Sequence, residues 1–223
     1  MNTGNSSSLR CCRWLAALVG ALAISACSLL KPASVPGTSF YSLSRPMTPD
    51  APAPLLPSPS PTHSALTLVI SPPRAAAGFD SSRIIYMRDA HKVEYFAHSE
   101  WVDPPARMLG PLMASALEKT GAFRAVVVTA GSASGDLRLD TEIIRLQQDF
   151  STRPSRVNFV LRAYLVDDKS RQVVAWREFD RSLLAASDDA PGGVAAANRV
   201  VQMVLDELSV FCFKALPVIK TSS

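Results

Sequence analysis

The chain has 223 residues, with 23 basic against 19 acidic side chains and a hydrophobic share of 48%. That length suits one domain of ordinary size plus a tether. The charges are interspersed and nearly balanced, which excludes the basic footprint of a nucleic-acid binder. The first 26 residues hold two of the basic side chains and no acid, so from Cys27 onward the balance is only +2.

The N-terminus is positive at Arg10 and Arg13 and apolar from Trp14 to Ile24. Such a run has the length of a signal-peptide core and is too short to span a bilayer. It closes on Ile24-Ser25-Ala26-Cys27. A branched aliphatic, two small residues and cysteine after such a segment resemble the bacterial lipoprotein box. That resemblance implies cleavage between Ala26 and Cys27 and acylation of the Cys27 thiol. The alternative is an ordinary secretory signal cut nearby, with Cys27 a bystander. Cys11 and Cys12 leave with the leader, so Cys212 has no disulfide partner within the chain.

Residues 27–64 read as a tether. Pro46, Pro49, Pro52, Pro54, Pro57, Pro59 and Pro61 crowd among Ser, Thr and Ala, a composition that favours extended chain over a core. From Cys27 to Ser64 it could reach about 110 Å at ~3.1 Å per residue. One island interrupts it. Phe40-Tyr41-Ser42-Leu43 is either a short strand docked on the body, with Tyr41 and Leu43 on one side, or an accidental apolar patch.

The folded domain is expected over 65–216, with 217–223 as a tail. Leu66–Ile70 reads as a strand stopped by Pro72-Pro73. Arg83–Arg88 and Lys92–Phe96 read as two strands around Asp89-Ala90-His91. A helix follows, capped by Asp103, with Pro104 at its first position and its end at Gly121. Leu109, Leu112, Met113, Ala116 and Leu117 form its apolar stripe. Phe123–Thr129 is a strand and Gly131–Gly135 a loop. Leu137, Leu139, Thr141 and Ile143 alternate along a long strand whose phase slips at Ile143-Ile144, the mark of a bulge. Arg156–Val166 and Gln172–Leu184 continue the sheet around a turn at Asp167–Ser170. A last helix runs from Gly193 to Lys214 with Pro217 as its exit. The pattern predicts an α+β fold: a largely antiparallel sheet with two amphipathic helices packed on one face.

Catalysis needs a nucleophile, a base and a charge stabiliser that converge. His63 falls in the tether, His91 in a turn and His98 after a strand, and these cannot build a zinc site alone. The Gly131–Gly135 loop lacks the serine of a nucleophile elbow, since its centre is Ala133. No phosphate-cradling or dinucleotide motif is present, and no metal or cofactor is expected. Asp188-Asp189 read as the acidic start of the last helix. Arg153 and Arg156 flank Pro154 in a turn. Cys212 reads as a buried small hydrophobe.

One stretch is more specific. Phe79-Asp80-x-x-Arg83-Ile84-Ile85-Tyr86-Met87-Arg88 is followed by Val93-Glu94-Tyr95-Phe96-Ala97. Trp101-Val102-Asp103-Pro104-Pro105-Ala106-Arg107-Met108-Leu109 comes next, and the helix ends in Leu117-Glu118-Lys119-Thr120-Gly121-Ala122-Phe123. With the Cys27 box and the Tyr41-Ser42-Leu43 island, this resembles the ABC-type transport auxiliary lipoproteins, relatives of paraquat-inducible protein C. The resemblance implies an α+β body, no catalytic residues, and a place beside an MCE-domain protein and the permease and ATPase of a lipid transporter. It also implies a lipid anchor on the periplasmic face of the outer membrane. Ser28 is compatible with that sorting, because an aspartate after the cysteine favours the inner membrane, which is the other location open to it. A ring of copies around a periplasmic conduit would suit such an auxiliary. Tyr86, Tyr95, Phe96 and Trp101 concentrate aromatic area in one segment and are the expected partner interface; filling the core is their other use. A generic outer-membrane assembly scaffold or chaperone shares anchor, tether and fold. An anchored envelope hydrolase is the third reading.

Overall fold

The computed structural model describes residues 37–44, 64–128 and 134–220. The leader, the Cys27 box, the proline-rich run from 45, His63 and the loop residues 129–133 lie outside them.

The fold is built on one long strand. Strand β7 (Leu137–Asp149) pairs along its whole length with antiparallel β8 (Arg156–Asp167), and β8 pairs in turn with antiparallel β9 (Val173–Leu184). The other edge of β7 is shared by three parallel strands in succession. These are β2 (Ser64–Ile70) against Leu137–Leu139, the short β3 (Arg74–Ala75) against Glu142 and Ile143, and β4 (Arg83–Met87) against Gln148 and Asp149. Beyond β2 lies parallel β6 (Phe123–Val128). Beyond β4 lies antiparallel β5 (Val93–Trp101), and β1 (Ser39–Tyr41) runs parallel on its outer edge. The sheet therefore forks along one side of β7. Long antiparallel ladders dominate it, and short parallel joins fill the fork.

The bulge appears where the apolar phase slips, between Ile143 and Arg145. It keeps Leu137, Leu139, Thr141 and Ile143, then Leu146 and Gln148, buried on one face. Both helices cover that face. Helix α1 (Pro105–Glu118) reaches it at Met113, whose sulfur lies 3.7 Å from the Thr141 hydroxyl. Helix α2 (Ala190–Lys220) reaches it at Gly193, where a side chain would overlap Gln148. The core between the layers includes Leu68, Ile70, Leu109, Met113, Phe159 and Phe179, all essentially inaccessible to solvent.

Several boundaries differ from expectation, among them the start of the last helix at Ala190 rather than Gly193. Helix α1 begins one residue late. Pro104 is extended (φ −48°, ψ 133°), and its carbonyl accepts the Arg107 N–H at 2.9 Å, so Pro105 takes the first helical position. Asp103 caps nothing and instead pairs with Arg107 at 3.1 Å. Strand β5 runs on through His98 to Trp101, because β1 supplies a partner for Ser99–Trp101. Helix α2 continues past Pro217 to Lys220. A proline removes a single helical hydrogen bond, which a helix packed as far as Leu216 tolerates near its end. At its start, Asp189 acts as the cap, its carboxylate accepting the Gly192 N–H at 2.8 Å.

The Phe40–Leu43 island is a docked strand. Tyr41 pairs with Trp101 in register, the Tyr41 carbonyl accepts the Val102 N–H at 2.8 Å, and Leu43 is buried.

Candidate functional site

The parallel join of β4 to the end of β7 brings separate aromatic residues together. Met87 pairs with Asp149, and the next residue, Phe150, donates its N–H to the Met87 carbonyl at 2.8 Å. Tyr86 pairs with Glu94 across the β4–β5 hairpin, which puts Phe96 beside it on the same face. The Tyr86 and Phe96 rings lie 4.7 Å apart, and Phe150 stands edge-on to them at 5.6 and 6.3 Å. These rings, with Arg88, Arg153 and Asp188, line an open notch of about 350 Å³.

The rim is charged and only partly neutralised. The Arg88 guanidinium lies 5.1 Å from the centre of the Tyr86 ring and donates to its hydroxyl at 3.4 Å. Its nearest carboxylate, Glu94, is 4.0 Å away and is shared with Lys92 at 3.5 Å. The Ser155 N–H, donating to Asp188 at 2.7 Å, is the main reason that carboxyl lies below the usual range; the Ser155 hydroxyl and the nearby Arg153 charge act in the same direction. Among the described residues no carboxylate comes within 4.0 Å of Arg153. An apolar floor under two arginines and one aspartate suits recognition of an apolar side chain with an acidic neighbour.

The four aromatic residues expected at an interface separate. Tyr86 and Phe96 share the notch. Tyr95 pairs in register with Ile85 and points from the other face of β5, where the Arg83 guanidinium lies 4.9 Å from its ring. Trp101 is only 4% exposed and belongs to the core, because it ends β5 directly beneath α2, beside Val194 and Ala197. Phe150 and Arg88 complete the notch and were not foreseen. A lone Phe after a strand carries no periodic signal, and its neighbour on β4 is set by tertiary pairing.

A second aromatic surface lies on the sheet face away from the helices. Tyr164 and Trp176 pair across β8 and β9 and stack at 6.4 Å, beside an Arg162–Glu178 ion pair at 2.8 Å. Trp176 is 63% exposed.

Among the described residues the nucleophile and ligand candidates do not converge. His91 and His98 are both exposed and lie at a turn and on β5. Cys212 is fully buried, and burial pushes its thiol up to about 12. Among the described residues no three His, Cys, Asp or Glu side chains gather as a metal site.

The ABC-type transport auxiliary lipoprotein components, as a sequence family, match this chain over residues 41–209. The chain belongs to that family. The match starts at Tyr41, the last residue of β1, and ends in α2, so Tyr41, Leu43 and the whole notch lie within the family's domain. No curated protein matches the chain. Among solved structures, protein XCC0632 from Xanthomonas campestris is similar at 22% identity and a TM-score of 0.71, covering 82% of this chain and 99% of its own. An uncharacterized protein is similar at 12% identity and a TM-score of 0.60, covering 79% and 99%. At these identities the two structures support the fold, and the functional assignment rests on the family.

Proposed function

We propose that this auxiliary lipoprotein is held by acyl chains on Cys27 at the periplasmic face of the outer membrane. There it serves an ABC transport system that moves lipid through an MCE-domain protein. Its contribution is docking, and none of its side chains is assigned a chemical step. The observation that carries the reading is the family match over residues 41–209. The anchor is supported by the leader and the Ile24-Ser25-Ala26-Cys27 box. Among the described residues no helix is long and apolar enough to cross a membrane, so an acyl anchor would supply the attachment. The docking surface is supported by the aromatic notch. Its three rings provide rigid apolar area, and its arginines sit where they can meet an acidic partner group.

Crosslinking in intact envelopes followed by copurification tests this function. The expected result is recovery of an MCE-domain protein and the transporter's permease with the wild-type chain. Recovery of other envelope assembly factors, with no MCE-domain protein or permease, would overturn the assignment to lipid transport.

A further inference from the structure

The docked strand β1 changes what the chain between anchor and body can do. We infer that β1 is a clamp that keeps the body on a short leash and turns the proline-rich run from 45 to 63 into a loop. This rests on the proposed acylation of Cys27.

The clamp is specific. Ser39, Phe40 and Tyr41 pair with Ser99, Glu100 and Trp101. Leu43 is buried in the core. Asn198 on α2 then holds the chain from both sides: its Oδ1 accepts the Ser44 N–H at 2.7 Å, and its Nδ2 donates to the Ser42 carbonyl at 3.2 Å. The run from 45 to 63 thus starts and ends on the body, between Ser44 and Ser64 of β2. Such a loop keeps β1 at roughly millimolar effective concentration near its site.

Only the stretch between Cys27 and Ser39 is left to span the distance to the lipid. Its twelve peptide units reach about 37 Å at ~3.1 Å each, a third of the reach expected for the whole run to Ser64. The direction is fixed as well. Because β1 is parallel to β5, the chain enters it from the side of His98 and Phe96. Phe96 is three residues before Ser99, about 10 Å along the strand. The leash therefore emerges beside the aromatic notch, and the notch works within about 50 Å of the lipid that holds Cys27. The partner group that fills the notch lies in that layer. Releasing β1 would triple the reach.

The test uses the purified, acylated full-length protein in phospholipid vesicles. A donor dye is placed on His98→Cys, next to the point where the leash leaves the body, with an acceptor dye on lipid headgroups. Cys212 is buried and leaves the engineered thiol as the reactive one. Deleting residues 48–60 is expected to leave energy transfer unchanged. Inserting twelve residues between Cys27 and Thr38 is expected to lower it, as the reach doubles. Leu43→Ala with Asn198→Ala is expected to lower transfer and to make it respond to the 48–60 deletion, with circular dichroism confirming that the body stays folded. If the 48–60 deletion raises transfer in the otherwise wild-type protein, the run is a tether and the clamp is wrong. Mass spectrometry of the mature N-terminus separates the two ideas. Acylated Cys27 with transfer that follows the loop overturns the clamp alone, whereas a chain without acyl groups overturns the anchor and the leash with it.

Discussion

The Arg138 guanidinium meets the Asp168 carboxylate at 2.8 Å, and this pair ties the start of β7 to the β8–β9 turn. Asp168 also accepts the Gly135 N–H at 3.1 Å and an Arg171 N–H at 3.1 Å. Its side chain is 4% exposed and that of Arg138 is 19% exposed, so removing the carboxylate strands a largely buried cation. Asp168→Ala is expected to cost about 3 kcal/mol at pH 7. The Gly135 N–H is the largest influence holding the Asp168 carboxyl low, opposed by burial and assisted by Arg138. A depressed folded value means that the stabilisation is complete above the unfolded value, near 3.8, and is lost as pH falls through the folded one. Urea midpoints at pH 7 and below pH 3.8 check this: the gap between wild type and variant should narrow at the lower pH. An equal gap at both would show that the loss is one of packing.

The β7–β8–β9 ladder and the bulge were legible because alternation with period two leaves a clear record in a half-buried strand. Tyr41 and Leu43 showed the same record in miniature. The fork was not legible. Nothing local to β2, β3 or β4 says that each joins the same edge of β7 in parallel, since that pairing is made across the chain. The notch was half legible for the same reason. Tyr86 and Phe96 belong to one hairpin and could be grouped, whereas Phe150 reaches them only through the β4–β7 join. For Trp101 both uses stayed open in the sequence, because aromatic content does not reveal which face a residue takes at the end of a strand, and its 4% exposure gives it the core. Asp168 read as part of a turn, and its inward carboxylate depends on Gly135 and Arg138 from other segments.

Cys212 offers a direct probe of the packing of α2. It is fully buried, and that burial pushes its thiol up to about 12, so the native fold denies a reagent both access and thiolate. Maleimide is expected to leave Cys212 unlabelled in the native protein and to label it as urea unfolds the domain. Labelling curves should follow the circular dichroism transition. Fast labelling without urea would mean that α2 opens locally.

Cys27→Ala is expected to give a folded body in the wrong place. The residue lies outside the domain matched by the family, so its loss should leave the thermal midpoint unchanged. Two or more acyl chains give lasting attachment, and none of the described helices can replace them. Fractionation with a high-salt wash checks the outcome. The variant should move to the soluble periplasmic fraction, and retention on the membrane after the wash would count against the acyl anchor.

Trp101 and Phe150 should separate stability from docking. Trp101 is 4% exposed, so Trp101→Ala is expected to cost about 3–5 kcal/mol and to lose partner capture only through unfolding. Phe150 is half-buried at the notch, so Phe150→Ala should cost about 1–2 kcal/mol and leave the domain folded. Copurified partner should nevertheless fall about tenfold, and Arg153→Glu should have a similar effect with almost no loss of stability. Thermal melts run beside the pull-downs distinguish the two kinds of loss. Undiminished capture by both folded variants would move the docking surface away from the notch, with the exposed Tyr164–Trp176 pair on the opposite face as the next surface to test.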